Sequence, residues 1–388
     1  MALITAELSI AFPDDGGYII WVQEAFGNFL AFQEGYWAWL SGVVDNALYP
    51  TLIVSVISEG YGAFGTPWTV YLVKASITLT LAIPLFFGIN IVGRGMAVLS
   101  IAVVLPFLVL CGCGLWSDHD GTNWAALMEV RRTDPTDPNS PIMINWSLLL
   151  NILFWNFNGF HGMSVFAGEV ENPTRSYPKA LAIVVLLVIL TYFLPLAIGT
   201  AVNQPPWYTW NEGSFSEIAH IGGSFLTGWI VIASCCSNVG MYMTELFVDS
   251  FQLLGMAELG LAPELFARRH VTYDTPRNAI YASLVVILIL SAFDFEDILI
   301  FDNALSCTGT VLSLFAAIKL RYSHSHVPRP FKIPGGTLTM VLLTVLPTSV
   351  ACCIVYTTVQ SIVAFLGIVA AVMLGIGLYV MIRRPPQF

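Results

Sequence analysis

The stretch Phe154-Trp155-Asn156-Phe157-Asn158-Gly159-Phe160-His161-Gly162 interrupts an otherwise apolar window that runs from Trp146 to Gly168. A window of that length and composition reads as a membrane-crossing helix, which needs about 20 mainly apolar residues. Lipid tolerates irregular backbone only where it is buried in protein or lines a cavity. Gly159 and Gly162 weaken the helix, and Asn156 and Asn158 carry groups able to bond a freed backbone amide or a ligand. A polar, glycine-bearing break inside a span therefore marks the place where a solute would be held.

Working outward, nine further apolar windows flank this one, giving 36–58, 68–89, 96–116, 146–168, 179–201, 224–250, 278–293, 297–318, 337–357 and 360–382. Composition agrees: 56% of the 388 residues are hydrophobic, only 10% are charged, and the mean hydropathy is +0.76, which leaves too few charges for a water-exposed surface. The chain is expected to be an all-α integral membrane protein. The window 278–293 is short, and Asp294-Phe295-Glu296-Asp297 leaves almost no loop before the next span, so a tight hairpin is expected there.

Orientation follows from the basic residues, because short loops rich in Lys and Arg stay in the cytoplasm. Alternating the spans places Arg94, Arg175, Lys179, Arg268, Arg269, Arg277, Lys319, Arg321, Arg329, Lys332, Arg383 and Arg384 on one side, with the C-terminus. Arg131 and Arg132 fall on the other side, and Lys74 lies within a span. The side with twelve is expected to be cytoplasmic, and the plasma membrane is the expected location. The opposite loops carry Glu59, Asp118, Asp120, Glu129, Asp134, Asp137, Glu212 and Glu217. These either concentrate cations at an outer mouth or simply solvate the loops.

Residues 1–12 lack the basic region of a signal peptide and are too short to span. Pro13-Asp14-Asp15-Gly16-Gly17 is a turn by composition, and Tyr18 to Phe32 reads as an amphipathic segment at the membrane surface, so 13–35 is assigned to the cytoplasmic side and 36–382 to the ten spans of one transmembrane domain. The seven cysteines sit in apolar windows without metal-site spacing and are read as packing residues. No metal, organic cofactor or nucleic acid is implied. Asn145-Trp146-Ser147 is a sequon set against a span and is expected to be unused.

Ionisable residues inside spans are costly and point to function. Asp45, beside Asn46 and one turn from Tyr49, lies in 36–58; Glu245 lies in 224–250; Asp302, followed by Asn303 and Ser306, lies in 297–318. Three carboxylates on three helices suit a cationic ligand or a coupling proton, or each is satisfied by a hydroxyl or amide of a neighbouring helix. Asp249 and Lys74 are expected to sit at interfaces or to snorkel. Trp155 offers a face that attracts ammonium groups by about 0.5–2 kcal/mol, or it packs between helices. His161 is either a proton acceptor near neutral pH or a histidine bonded to a neighbour.

The chain also shows Glu34-Gly35-Tyr36-Trp37, Ser41-Gly42-Val43-Val44-Asp45-Asn46-Ala47-Leu48-Tyr49-Pro50, Phe154-Trp155-Asn156-Phe157-Asn158, Ala167-Gly168-Glu169-Val170-Glu171-Asn172-Pro173, Asp249-Ser250-Phe251-Gln252-Leu253-Leu254-Gly255-Met256-Ala257-Glu258 and Arg329-Pro330-Phe331-Lys332-Ile333-Pro334. In this order they resemble the polyamine uptake transporters of plants and kinetoplastid protozoa, within the amino acid, polyamine and organocation superfamily. The resemblance implies a LeuT-like inverted-repeat bundle in which the first and sixth helices unwind around the solute. It makes 146–168 the sixth helix, 36–58 the third, 224–250 the eighth and 297–318 the tenth. Met1 to Phe12, with Thr5-Ala6-Glu7-Leu8, matches the end of the second helix, so ten full spans plus a helix stub are expected, with the first helix missing.

What the resemblance implies for function is secondary active import of polyamines such as putrescine or spermidine, proton-coupled or driven by another cation gradient, by alternating access and without enzymatic chemistry. The solute-facing positions it points to are Asn46, Trp155 and Glu245, and to these the buried carboxylates add Asp45 and Asp302 and the helix break adds Asn158, Gly159 and His161. His161 stands where relatives carry an acid, so a second amine would meet Glu245 or Asp302 instead, or the solute would be a cationic or neutral amino acid. A transport-inactive membrane protein is the reading from another class.

Overall fold

The structure, a computed structural model, describes residues 1–14, 16–61, 65–116, 123–130, 139–210, 214–292, 295–360 and 362–383. Arg131, Arg132, Asp118, Asp120, Asp134, Asp137 and Glu212 of the expected outer loops lie outside them, as do Phe293 and Asp294 of the expected hairpin. The chain runs as α1 (Ala2–Ala11), α2 (Tyr18–Phe26), α3 (Asn28–Asn46), α4 (Leu48–Tyr61), α5 (Pro67–Ala82), α6 (Ile89–Trp116), α7 (Trp146–Phe157), α8 (Pro173–Val202), α9 (Ser214–Ile218), α10 (Ser224–Glu258), α11 (Arg277–Leu290), α12 (Phe295–Ser323), α13 (Gly336–Val359) and α14 (Ile362–Arg383).

Eight described helical stretches are long and apolar enough to cross a bilayer. The other two of the ten expected windows are the broken one, 146–168, and the short α11 of 14 residues. The protein is thus an all-α integral membrane protein. Its outer surface follows helical spacing: Val98, Ile101, Leu105 and Leu108 on α6, Ile183, Leu186 and Leu190 on α8, and Leu338, Leu342 and Leu346 on α13 are exposed large apolar side chains. In water such a surface would aggregate; facing lipid tails it costs nothing.

At the centre, α3 packs against α12, α10 and α2, and α12 packs against α3, α13 and α2. The segment expected on the membrane surface is seated differently. Tyr18, Ile19, Trp21 and Val22 of α2 are buried against protein, and α3 starts at Asn28, burying Gln33 and Glu34 well before the expected start of the span. An apolar helical stripe fits a groove between helices as well as it fits a headgroup layer, and periodicity cannot tell the two apart.

The break in the 146–168 window is local. Asn145 caps α7 by accepting the Leu148 N–H at 3.1 Å, and α7 ends at Phe157. Asn158 is extended, Gly159 adopts φ +89°, a conformation that disfavours side chains, and the backbone resumes as a tighter 3-10 helix from Gly162 to Glu169. Its far end is fixed to its surroundings: Ser164 Oγ accepts from the Tyr18 N–H at 3.2 Å and donates to the His161 carbonyl at 2.6 Å, while Tyr177 OH donates to the Met163 carbonyl at 2.7 Å.

Candidate solute-binding site

A cavity of about 410 Å³ opens beside the break, walled by α3, α10, α12 and the 158–163 segment. Its size falls in the range of small-molecule sites, about 300–1,000 Å³. On α3 the lining residues are Glu34, Ala38, Ser41 and Gly42, and on α12 they are Ser306, Gly309 and Thr310. Extended by Asp45 and by Asp302 and Ser313, both stripes repeat at i, i+4, i+7, i+8 and i+11. That spacing keeps one side of a helix facing one way.

The stripes run antiparallel and bond to each other at both ends. Ser41 Oγ donates to Asp302 Oδ1, and Ser313 Oγ donates to Glu34 Oε1 at 2.7 Å. From α10, Glu245 and Asp249 face the cavity, and Asn46 Nδ2 donates to Asp249 Oδ2 at 3.0 Å. Helix α3 comes so close that a side-chain carbon at Gly42 would stand 1.9 Å from Asp249 Oδ1. Behind the wall, Trp155 Nε1 donates to Asp45 Oδ1 at 2.8 Å and Tyr49 OH to Asp45 Oδ2 at 2.6 Å, so the broken helix and α3 are tied through one carboxylate. Asn158 Nδ2 donates to Ser306 Oγ at 2.6 Å, which ties the break to α12.

Of the eight residues named from the sequence, Asn158, Gly159, His161 and Glu245 line the cavity. Asn46 and Asp302 stand one bond behind it, through Asp249 and Ser41, while Asp45 and Trp155 bond to each other and, with Tyr49, lie outside the lining. His161 meets the Tyr18 ring edge-on, with centroids 5.0 Å apart, and its Nδ1 has no hydrogen-bond partner. Asp249 corrects the expectation of an interfacial or snorkelling acid: it is 1% exposed and faces the cavity. One turn after Glu245, it lies on the same helix face, and that turn of α10 is buried against α3 rather than at a bilayer surface.

The sequence reading also passed over Glu34, Tyr18 and Gln252, all in the lining. Tyr18 OH donates to Gln252 Oε1 at 2.6 Å, and Gln252 Nε2 donates to the Gly35 carbonyl at 2.8 Å. The signal for Glu34 was present: it falls on the same helical face as Ser41, Gly42 and Asp45, once the helix is known to start upstream of it.

Five carboxylates thus converge on one region, Glu34, Asp45, Glu245, Asp249 and Asp302. Among the described residues none of the five is in an ion pair, the ion pairs lying instead at Glu7 with Arg321 and Arg329, Arg269 with Glu258 and Asp274, and His324 with Glu24. Asp45, Glu245, Asp249 and Asp302 act on one another electrostatically. Like charges out of water are relieved by a bound cation or by protons.

A helical bundle with a broken span beside a cavity of buried acids defines a solute carrier of the membrane. The chain belongs to the amino acid permease family, whose sequence profile matches residues 1–382. It is 39% identical over 350 residues to the polyamine transporter RMV1 of Arabidopsis thaliana, covering 89% of this chain and 69% of that protein. With the polyamine transporter PUT1 of Oryza sativa subsp. japonica it shares 38% identity over 373 residues, 95% of this chain and 67% of the relative. A more distant relative is the glutamate/serine transporter AimA of Bacillus subtilis, 25% identical over 308 residues, 74% of this chain and 55% of that one. The protein is accordingly a membrane transporter, with a small solute as its cargo, and not an enzyme.

Proposed function

We propose that this transporter imports polyamines, at the plasma membrane, by secondary active transport with its C-terminus in the cytoplasm. The single observation that carries the reading is the cavity wall: Glu34, Glu245 and Asp249 face the space, with Asp45 and Asp302 behind it and no basic partner among the described residues. A solute bearing several ammonium groups meets such a wall with charge-assisted hydrogen bonds and relieves the repulsion within it. His161 supports the same reading through a ring nitrogen left without a partner in the lining, and Trp155 by holding Asp45 behind the wall. The names of the plant relatives point to the same solute class.

Coupling to protons is the matching part of the proposal. The same acids that hold an amine release it when protonated, so one cluster serves both solute and proton. Asp45, Asn46, Trp155, Asn158, Gly159, His161, Glu245 and Asp302 are proposed as the solute-facing and supporting residues.

The test is uptake of labelled spermidine, labelled arginine and labelled leucine, each in its own assay and each competed by the other two unlabelled solutes, by the protein in proteoliposomes, with and without a proton gradient. Polyamine transport predicts uptake of spermidine and its loss when a protonophore collapses the gradient. Uptake of arginine with none of spermidine reassigns the chain to cationic amino acids, and uptake of leucine alone to neutral ones. Absence of all uptake from correctly inserted protein refutes the transport reading.

A further inference from the structure

At the end of the cavity nearest the α2–α3 turn, two buried polar atoms lack partners. Glu34 is 2% exposed, and its Oε1 accepts from Ser313, but Oε2 has no hydrogen-bond partner. Thr310 is 3% exposed, lines the same cavity, and its Oγ1 is also unpartnered. Gly309, the chain neighbour of Thr310 on the wall, leaves Oε2 uncovered, since a side-chain carbon there would sit 3.2 Å from it. A carboxylate oxygen left unmet in a dry site is expensive, and natural proteins leave such atoms unpaired chiefly where something else supplies the bond.

We propose that Glu34 Oε2 and Thr310 Oγ1 form a second ammonium subsite, separate from the one at Glu245 and Asp249, so that the cavity prefers linear amines long enough to engage both. The inference rests on the polyamine reading of the same cavity and adds a length requirement to it. A primary ammonium carries three N–H donors; Glu34 and Thr310 take two, and the third points back into the cavity. The other subsite lies at the level of Gly42, whose backbone adjoins Asp249. Glu34 and Gly42 are eight residues apart in the unbroken α3, a rise of about 12 Å at 1.5 Å per residue. A diamine with a four-carbon spacer reaches one level only, whereas a linear triamine or a long-chain diamine reaches both. Ala38, between the levels on the α3 stripe, offers the methylene chain an apolar surface.

The experiment measures displacement of labelled spermidine from the purified protein by diaminobutane, diaminohexane, diaminooctane and diaminodecane. For the wild type, potency should rise with spacer length. In Glu34→Gln the long diamines and spermidine should weaken by about 10-fold or more, and diaminobutane, which reaches only one of the two levels, by a clearly smaller factor. Thr310→Val, which leaves every charge in place, should show the same length-selective loss to a smaller degree, and it decides the matter alone if Glu34→Gln does not fold. A wild type that binds spermidine and diaminobutane equally well, or variants that weaken all lengths alike, overturns the second subsite and leaves the polyamine reading standing. A wild type that binds none of these amines overturns both.

Discussion

Helices α12 and α14 make opposite use of the same environment. In the most apolar part of Asp302–Ser323, 61% of residues are buried, and this stretch carries Asp302, Asn303, Ser306, Thr310 and Ser313; in Phe365–Ile382 only 11% are buried, and no charged residue occurs before Arg383. The stretch Asn28–Ser58 sides with α12, also at 61%. In a water-soluble protein the more apolar helix lies inside. Here lipid takes the apolar helices at no cost, and the interior is reserved for helices whose polar groups need partners. The comparison implies that single substitutions at the packed positions of α3, α10 and α12 act on stability or transport, while those on the lipid-facing side of α14 act on neither.

The strongest way to sharpen it lies where α12 ends. Glu7 is fully buried and accepts from Arg321 Nε and from Arg329 Nη1, both at 2.8 Å, and from the Ile333 N–H at 2.9 Å. Glu7→Gln leaves two nearly buried guanidiniums without their anion, which is expected to cost about 3–5 kcal/mol. Thermal unfolding of the purified protein should show a large fall in midpoint, and an unchanged midpoint would break the claim that the inner helices are held by polar pairing.

Next in size is Glu245→Gln, which keeps shape and removes a cavity charge. Spermidine uptake should fall by about 10- to 150-fold, the equivalent of about 1.5–3 kcal/mol, with membrane insertion intact. Wild-type uptake in this variant and in Trp155→Leu would place the solute elsewhere.

Close approach offers a smaller test, about 1–3 kcal/mol for overpacking. Gly42→Ala pushes a carbon against Asp249, whereas a carbon at Gly377 on α14 meets nothing within 4 Å. The first variant should lose thermal stability and the second should not; equal losses would erase the contrast between the two kinds of helix. Smallest of all is Leu374→Ala, whose parent side chain is 58% exposed on α14. A change within about 0.5 kcal/mol is expected in unfolding and none in uptake.

The same contrast explains what could be read in advance. Long apolar runs such as those of α6, α8, α13 and α14 announce themselves, because facing lipid requires continuous hydrophobicity. The break at 158–161 was also legible, since Asn158 and Gly159 are poor residues for a lipid-facing helix. Glu34 and Asp249 were not: each sits near an apparent end of an apolar window, where a charge reads equally well as a solvated boundary. Only packing reveals that both ends are inside protein.

By itself, then, the amino-acid sequence determined that the chain is an all-α membrane protein, roughly where its long apolar helices run, and which apolar window is interrupted, because hydrophobic length and helix-breaking chemistry are local properties. The tertiary structure decided which carboxylates share a cavity. It set Ser41 against Asp302 and Ser313 against Glu34, sent Asp45 to Trp155, and brought Asp249 to Asn46 from some two hundred residues away. Those partners are chosen by the antiparallel meeting of α3 and α12 and by the close crossing of α3 with α10 at Gly42, and no local pattern encodes which face of one helix will meet which face of another.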